Sequence, residues 1–164
     1  MEKMDEIIFE LQKFVDNIIT LREPASSSDI TTFEKSIELK LPEDYKQLLR
    51  YTNGFDLMSK EVYGINLQEA ENLESIYLRE HNEVEIPQHK HFVPFSPDGA
   101  GNFYCFDTSK ITEKGLCEVI FWTSNYEYTD DDEPEVANDS FTDWVQEVVI
   151  DWTLEDYNYD GAER

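Results

Sequence analysis

Leu41-Pro42-Glu43-Asp44-Tyr45-Lys46-Gln47-Leu48-Leu49-Arg50-Tyr51-Thr52-Asn53-Gly54 is a helix written out with both of its ends. Pro42 suits the first helical position, where a missing N–H costs nothing. Glu43 and Asp44 lie in the first turn and Arg50 in the last, as the helix dipole favours. Tyr45, Leu48 and Leu49 form a buried stripe, and Asn53-Gly54 supplies a left-handed stop.

Upstream, Ile7, Ile8, Leu11, Phe14, Val15, Ile18 and Ile19 recur at helical spacing, which predicts a first amphipathic helix closed by Pro24. Ala25-Ser26-Ser27-Ser28 offers caps to a second, with Ile30, Phe33 and Ile37 on one face. Downstream the pattern changes. A short extended piece spans Glu61 to Ile65, and Asn66 with Glu69 reads as a capping box for a helix burying Ala70, Leu73, Ile76 and Tyr77. His91 to Phe95, Phe103 to Phe106 and Glu118 to Trp122 read as strands. Ser140 caps a last helix that turns Phe141, Trp144, Val145, Val148, Val149 and Trp152 inward. Helices, then strands, then a helix predict a single α+β domain over residues 1–154, with a central antiparallel or mixed sheet. Residues 155–164 lack apolar periodicity and are expected to form an acidic, flexible tail.

The chain has 164 residues, 37 acidic and 13 basic, for a formal charge of −24. From Gly115 to Glu163 there are fifteen Asp or Glu residues and no Lys or Arg. Such a field repels nucleic acid and anionic lipid and attracts basic proteins. With 40% hydrophobic and 13% aromatic residues the chain nevertheless has the means to fill a core, which separates it from disordered acidic tails. Self-repulsion at this charge favours a monomer. No secretory signal or membrane span is legible, which points to the cytoplasm. In that compartment Cys105 and Cys117 are expected as free thiols; a disulfide would require their two strands to pair.

In order along the chain, Ile30 and Glu34, then Leu41-Pro42-Glu43-Asp44-Tyr45, then Asn53-Gly54 make one set of local features. Phe92-Val93-Pro94-Phe95, Asp98-Gly99-Ala100-Gly101-Asn102, Tyr104-Cys105-Phe106-Asp107, Val136-Ala137 and Ser140-Phe141 continue it. Together, from about Ser27 to Trp152, they resemble the SUKH superfamily, which includes bacterial toxin-immunity proteins and yeast regulators of cell-wall glucan synthesis. The resemblance implies an α+β fold, no catalytic activity, and binding to a cognate toxin as the usual bacterial role.

Other constellations have plainer readings. Asp98 to Asn102 lacks the Lys and Ser/Thr of a phosphate loop and precedes a strand, so it reads as a tight turn with glycines at positive φ. Asp107 reads as a turn-former. His81, His89 and His91 are too few and too loosely held for a zinc set and read as loop histidines. Asp156 to Gly161 matches half of a calcium loop, but the closing Glu would fall beyond Arg164. No nucleophile, metal set or cofactor loop emerges, so no enzyme and no cofactor are expected. Asp130-Asp131-Asp132-Glu133 differs because Trp122, Tyr126 and Tyr128 precede it, joining amphipathic anchors to charge. These seven residues are the expected partner-binding set, for a basic, nuclease-like toxin domain, or for an endogenous protein if the chain is a regulator or scaffold.

Overall fold

A computed structural model describes residues 3–129 and 131–164. In chain order the elements are α1 Lys3–Leu11, β1 Ile19–Leu21, α2 Ser27–Ile37, α3 Glu43–Tyr51, β2 Phe55–Leu57, β3 Lys60–Val62, α4 Leu73–Asn82, β4 Phe92–Pro97, β5 Phe103–Asp107, β6 Val119–Trp122 and β7 Glu135–Asn138. The C-terminal helix is α-helical over Phe141–Trp144 (α5), π-helical over Val145–Asp151 and α-helical again over Trp152–Asp156 (α6). All strand pairing is antiparallel, in a three-stranded sheet β1-β2-β3 and a four-stranded sheet β4-β5-β6-β7. The domain is α+β, as its element order predicts.

A bulge joins the two sheets. The β4–β5 register slips between Pro94 and Ser96, leaving Phe95 out of the ladder. Its carbonyl instead accepts the Tyr63 N–H at 2.8 Å, and Ser96 Oγ donates to Glu61 O at 2.5 Å. The bulge thus re-aims β4 backbone toward the end of β3.

Over this junction lies an aromatic core. Phe95 stacks on Phe106 at 4.2 Å, Trp144 meets Phe95 edge-on at 4.7 Å, and Tyr45 contacts Phe106 at 4.9 Å and Phe141 at 5.2 Å. These offset and edge-on geometries are the favoured ones for aromatic rings. The buried Tyr45 hydroxyl donates to Tyr63 O at 2.6 Å, so its polar end is satisfied. α3 and α5 are locked at their N-termini: Thr142 N and Oγ both donate to Asp44 Oδ2 at 2.9 Å. α1 packs against α3 and the C-terminal helix, and α4 against β4.

Several expectations are corrected. α1 stops at Leu11, and Ile19 enters β1 opposite Leu57. Val15, Ile18 and Ile19 fit helical spacing, but their β-branched side chains suit a pleated edge equally well, and β2 supplies that edge. Pro42 is the cap and not the first helical residue of α3. α4 begins at Leu73 behind an Asn72–Ser75 capping box; Asn66 Oδ1 accepts Gln68 N at 3.0 Å and closes a local turn. β2 and β7 are additions. Trp152 faces outward, 41% exposed, with Lys60 Nζ 5.2 Å from its ring centroid. Beyond α6, Tyr157 and Glu163 form a β-bridge, and the Tyr159 ring lies 4.9 Å from Phe14.

Candidate protein interface

β6 ends in Trp122 and β7 begins at Glu135, and the connection carries the aromatic and acidic run. Asp130 lies outside the described residues. Strand alternation sends Trp122 inward, where it is 1% exposed. It is therefore a support and not a contact residue, a correction imposed by burial. Tyr128 packs on it at 4.7 Å and accepts the Thr123 N–H on its hydroxyl at 3.0 Å. Tyr126 in turn stands edge-on to Tyr128 at 4.7 Å and is 46% exposed. Its hydroxyl donates to the Asp132 carboxylate, and that bond to an anion pushes the phenol above its ordinary value. Asp131 and Glu133 are exposed, while Asp132 is half-buried.

The base of the loop is anchored elsewhere. Ser124 N donates to Asn102 Oδ1 at 2.9 Å, and Ser124 Oγ to Gly101 O at 2.6 Å. The Asp98–Asn102 segment is the tight turn its sequence predicts. Gly99 and Gly101 have φ of 87° and 94°, and Asp98 Oδ1 accepts the N–H groups of Ala100 and Asn102. This turn holds the loop, a role that only spatial proximity reveals.

Beside the loop a cleft of about 260 Å³ is lined by His89, His91, Asp107, Lys110, Asp132 and Glu133 among others. Asp107 caps a short 3-10 turn, accepting from Ser109 N at 3.1 Å and Ser109 Oγ at 2.6 Å, as its turn-forming role predicts. His91 Nε2 is 3.8 Å from Asp107 Oδ1. His89 stacks on Phe92 at 5.5 Å and meets Trp122 edge-on at 5.4 Å. His81 points its two ring nitrogens at Tyr77 O (2.7 Å) and His89 O (3.0 Å). These rings are engaged in packing and backbone contacts, and among the described residues no group of three or more His, Cys, Asp or Glu is placed to hold a metal ion.

Both cysteines are free and buried. Burial pushes the Cys117 thiol up to about 12 and that of Cys105 well above its ordinary value. Neither offers a thiolate nucleophile near neutral pH. Chemically the β6–β7 loop presents an exposed tyrosine set edge-on to a half-buried one over a buried tryptophan, with carboxylates beside them. His89 and His91 are legible in the sequence as loop histidines, but their place beside this loop is not, because no local pattern encodes it.

No helix of the described residues is long and apolar enough to cross a membrane. The fold has a counterpart in a crystal structure of a protein from Pseudomonas syringae pv. tomato, with a TM-score of 0.62 and 18% identity over 88% of this chain and 96% of that one. Comparison with curated proteins gives no match. The model of the SMI1 / KNR4 family (SUKH-1) matches residues 24–147, from just before α2 into the π-helical segment, and takes in the whole β6–β7 loop. This chain belongs to the SMI1 / KNR4 family (SUKH-1).

Proposed function

We propose that this chain is a non-catalytic immunity protein that captures and neutralises a basic, nuclease-like toxin domain through its β6–β7 loop. The observation that carries the reading is the edge-on packing of Tyr126 against Tyr128 over buried Trp122, within a loop that also presents Asp131, Asp132 and Glu133. A nuclease site is lined with Lys and Arg to hold phosphates, so an acidic loop can occupy it as a mimic of the substrate backbone. The net charge of −24 accelerates encounter, by roughly ten- to a thousandfold at low salt. Exposed ion pairs contribute only about 0.2–1 kcal/mol each, so lasting affinity must come from the desolvated tyrosines. Asp130 belongs to the same acidic run by sequence.

The test is stopped-flow association with the toxin domain encoded beside this protein, using a variant carrying Asp130→Asn, Asp131→Asn, Asp132→Asn and Glu133→Gln. Association at low salt is expected to slow by about tenfold and to lose most of its salt dependence. Folding stability should hold or rise as like-charge repulsion is relieved. Unchanged rates would remove the loop from the mechanism. No binding of the unaltered protein at micromolar concentration would favour the second reading that the SMI1 / KNR4 match supports, a cytoplasmic regulator or scaffold for an endogenous protein.

A further inference from the structure

A second concave surface lies on elements that the family match largely leaves out. α1 and the C-terminal helix enclose a groove of about 660 Å³, closed at one end by Tyr159. Ile7 and Ile150, 3% and 1% exposed, form its floor with half-buried Leu154. Phe9 stands at its lip, 63% exposed. An apolar floor with a large uncovered aromatic at the edge is a surface suited to receiving apolar side chains.

The end wall is fixed by the C-terminal turn. Tyr159 O accepts Val15 N at 3.0 Å, and the Tyr159 hydroxyl donates to Glu10 Oε2 at 2.8 Å. The turn behind it passes through Gly161 at φ 86°, where an added Cβ would lie 2.8 Å from Ile18 Cγ2. The groove is therefore pre-formed, which lowers the ordering cost of binding.

Its rim is anionic. Glu10 is paired with Lys13 at 2.6 Å, but Glu6, Asp143 and Asp151 pair with no basic side chain among the described residues. Lys3 is the one basic residue in the described lining. The π-helical spacing puts residues i and i+5 one above the other. Gln146 Nε2 accordingly donates to Asp151 Oδ1 at 2.8 Å, and both line the groove.

From this combination we infer that the groove between α1 and the C-terminal helix docks a cationic amphipathic helix of a protein partner. α1 has nine residues, a length of about 13 Å, which matches apolar anchors spaced i, i+3/i+4 and i+7 on a partner helix. The carboxylates meet Lys and Arg on that helix's flanks and repel acidic segments and anionic lipid surfaces. The groove is separate from the β6–β7 loop: it is built from different elements and calls for apolar anchors on one helical face with cations on the flanks.

The test uses the full chain, isotopically labelled, and a Leu/Lys peptide with its leucines on one helical face. Controls are a peptide of identical composition with the leucines scattered, and a Leu/Glu peptide. Expected are amide shifts at Phe9, Asp143, Asp151 and Tyr159, and affinity about tenfold weaker for the scattered peptide. Phe9→Ala and the double variant Asp143→Lys, Asp151→Lys should each weaken binding by about tenfold. All of these side chains are exposed, so circular dichroism should show the fold intact. Equal binding of the scattered peptide, shifts confined to residues 123–136, or indifference to the variants would each overturn the inference. Only the second of these would leave binding at the loop.

Discussion

Gly54 takes φ 83°, the conformation that Asn53-Gly54 predicts. The structure adds a second constraint: an added Cβ would come within 2.6 Å of Gly64 N and 2.7 Å of Val62 O. Backbone meets backbone here, and Asn53 Oδ1 accepts Ile65 N at 2.7 Å across the same junction. Gly54→Ala should therefore cost about 1–3 kcal/mol, more than positive φ alone would explain, measured by urea denaturation. The turn was legible, because φ is a local property. Its close approach to the chain ten residues later was not. Trp122 is a parallel case: its type suggests an exposed anchor, and only its neighbours Phe92, His89 and Tyr128 show that it is buried beneath the β6–β7 loop.

At the level of elements, capping chemistry separates what was readable from what was not. Ser26 and Ser140 cap the helices they were expected to cap. Asn66 with Glu69 and Asn72 with Ser75 are both plausible starts for one helix, and local chemistry does not choose between them. Burial chooses: Ala70, expected on the inner face, is exposed along with Leu67, so the apolar stripe begins only at Leu73, where α4 starts. Asn72→Ala should then lower stability by about 1 kcal/mol, whereas Asn66→Ala should cost a few tenths at most; paired thermal melts decide it. β7 is not legible in the sequence because its residues are exposed or half-buried and show no alternation. Its pairing partner β6 creates it.

For the molecule as a whole, charge sets the response to pH. Burial pushes Asp44, Glu61 and Glu80 above their ordinary values of 3.8, 4.5 and 4.5, with neighbouring Asp56 and Glu71 adding to the effect at Glu61. A raised carboxyl binds its proton more tightly in the folded state, so its stabilising contribution is complete below the unfolded value and is lost as pH rises through the folded one. Glu10 acts oppositely: bonds from Lys13 and Tyr159 hold it below 4.5, and its contribution is lost as pH falls through that lowered value. The melting temperature should climb as pH drops from 7 to about 5 and fall at stronger acidity. Added salt should raise it at pH 7 by screening the −24 charge. Glu61→Gln should raise it at pH 7 and shrink the climb. A midpoint that declines steadily from pH 7 downward would contradict this balance.

The sequence by itself determined the α+β class, most helix stripes and caps, the tight turn at Asp98–Asn102 and the acidic character of the surface. Each of these is a local or additive property, carried by side-chain spacing, backbone preference or summed charge. The tertiary structure decided where α1 ends, that β2 and β7 exist, that Trp122 supports the loop, and that α1 and the C-terminal helix leave a groove between them. Those outcomes depend on which distant segments meet, and a backbone N–H or an apolar face commits itself only when its partner is in place.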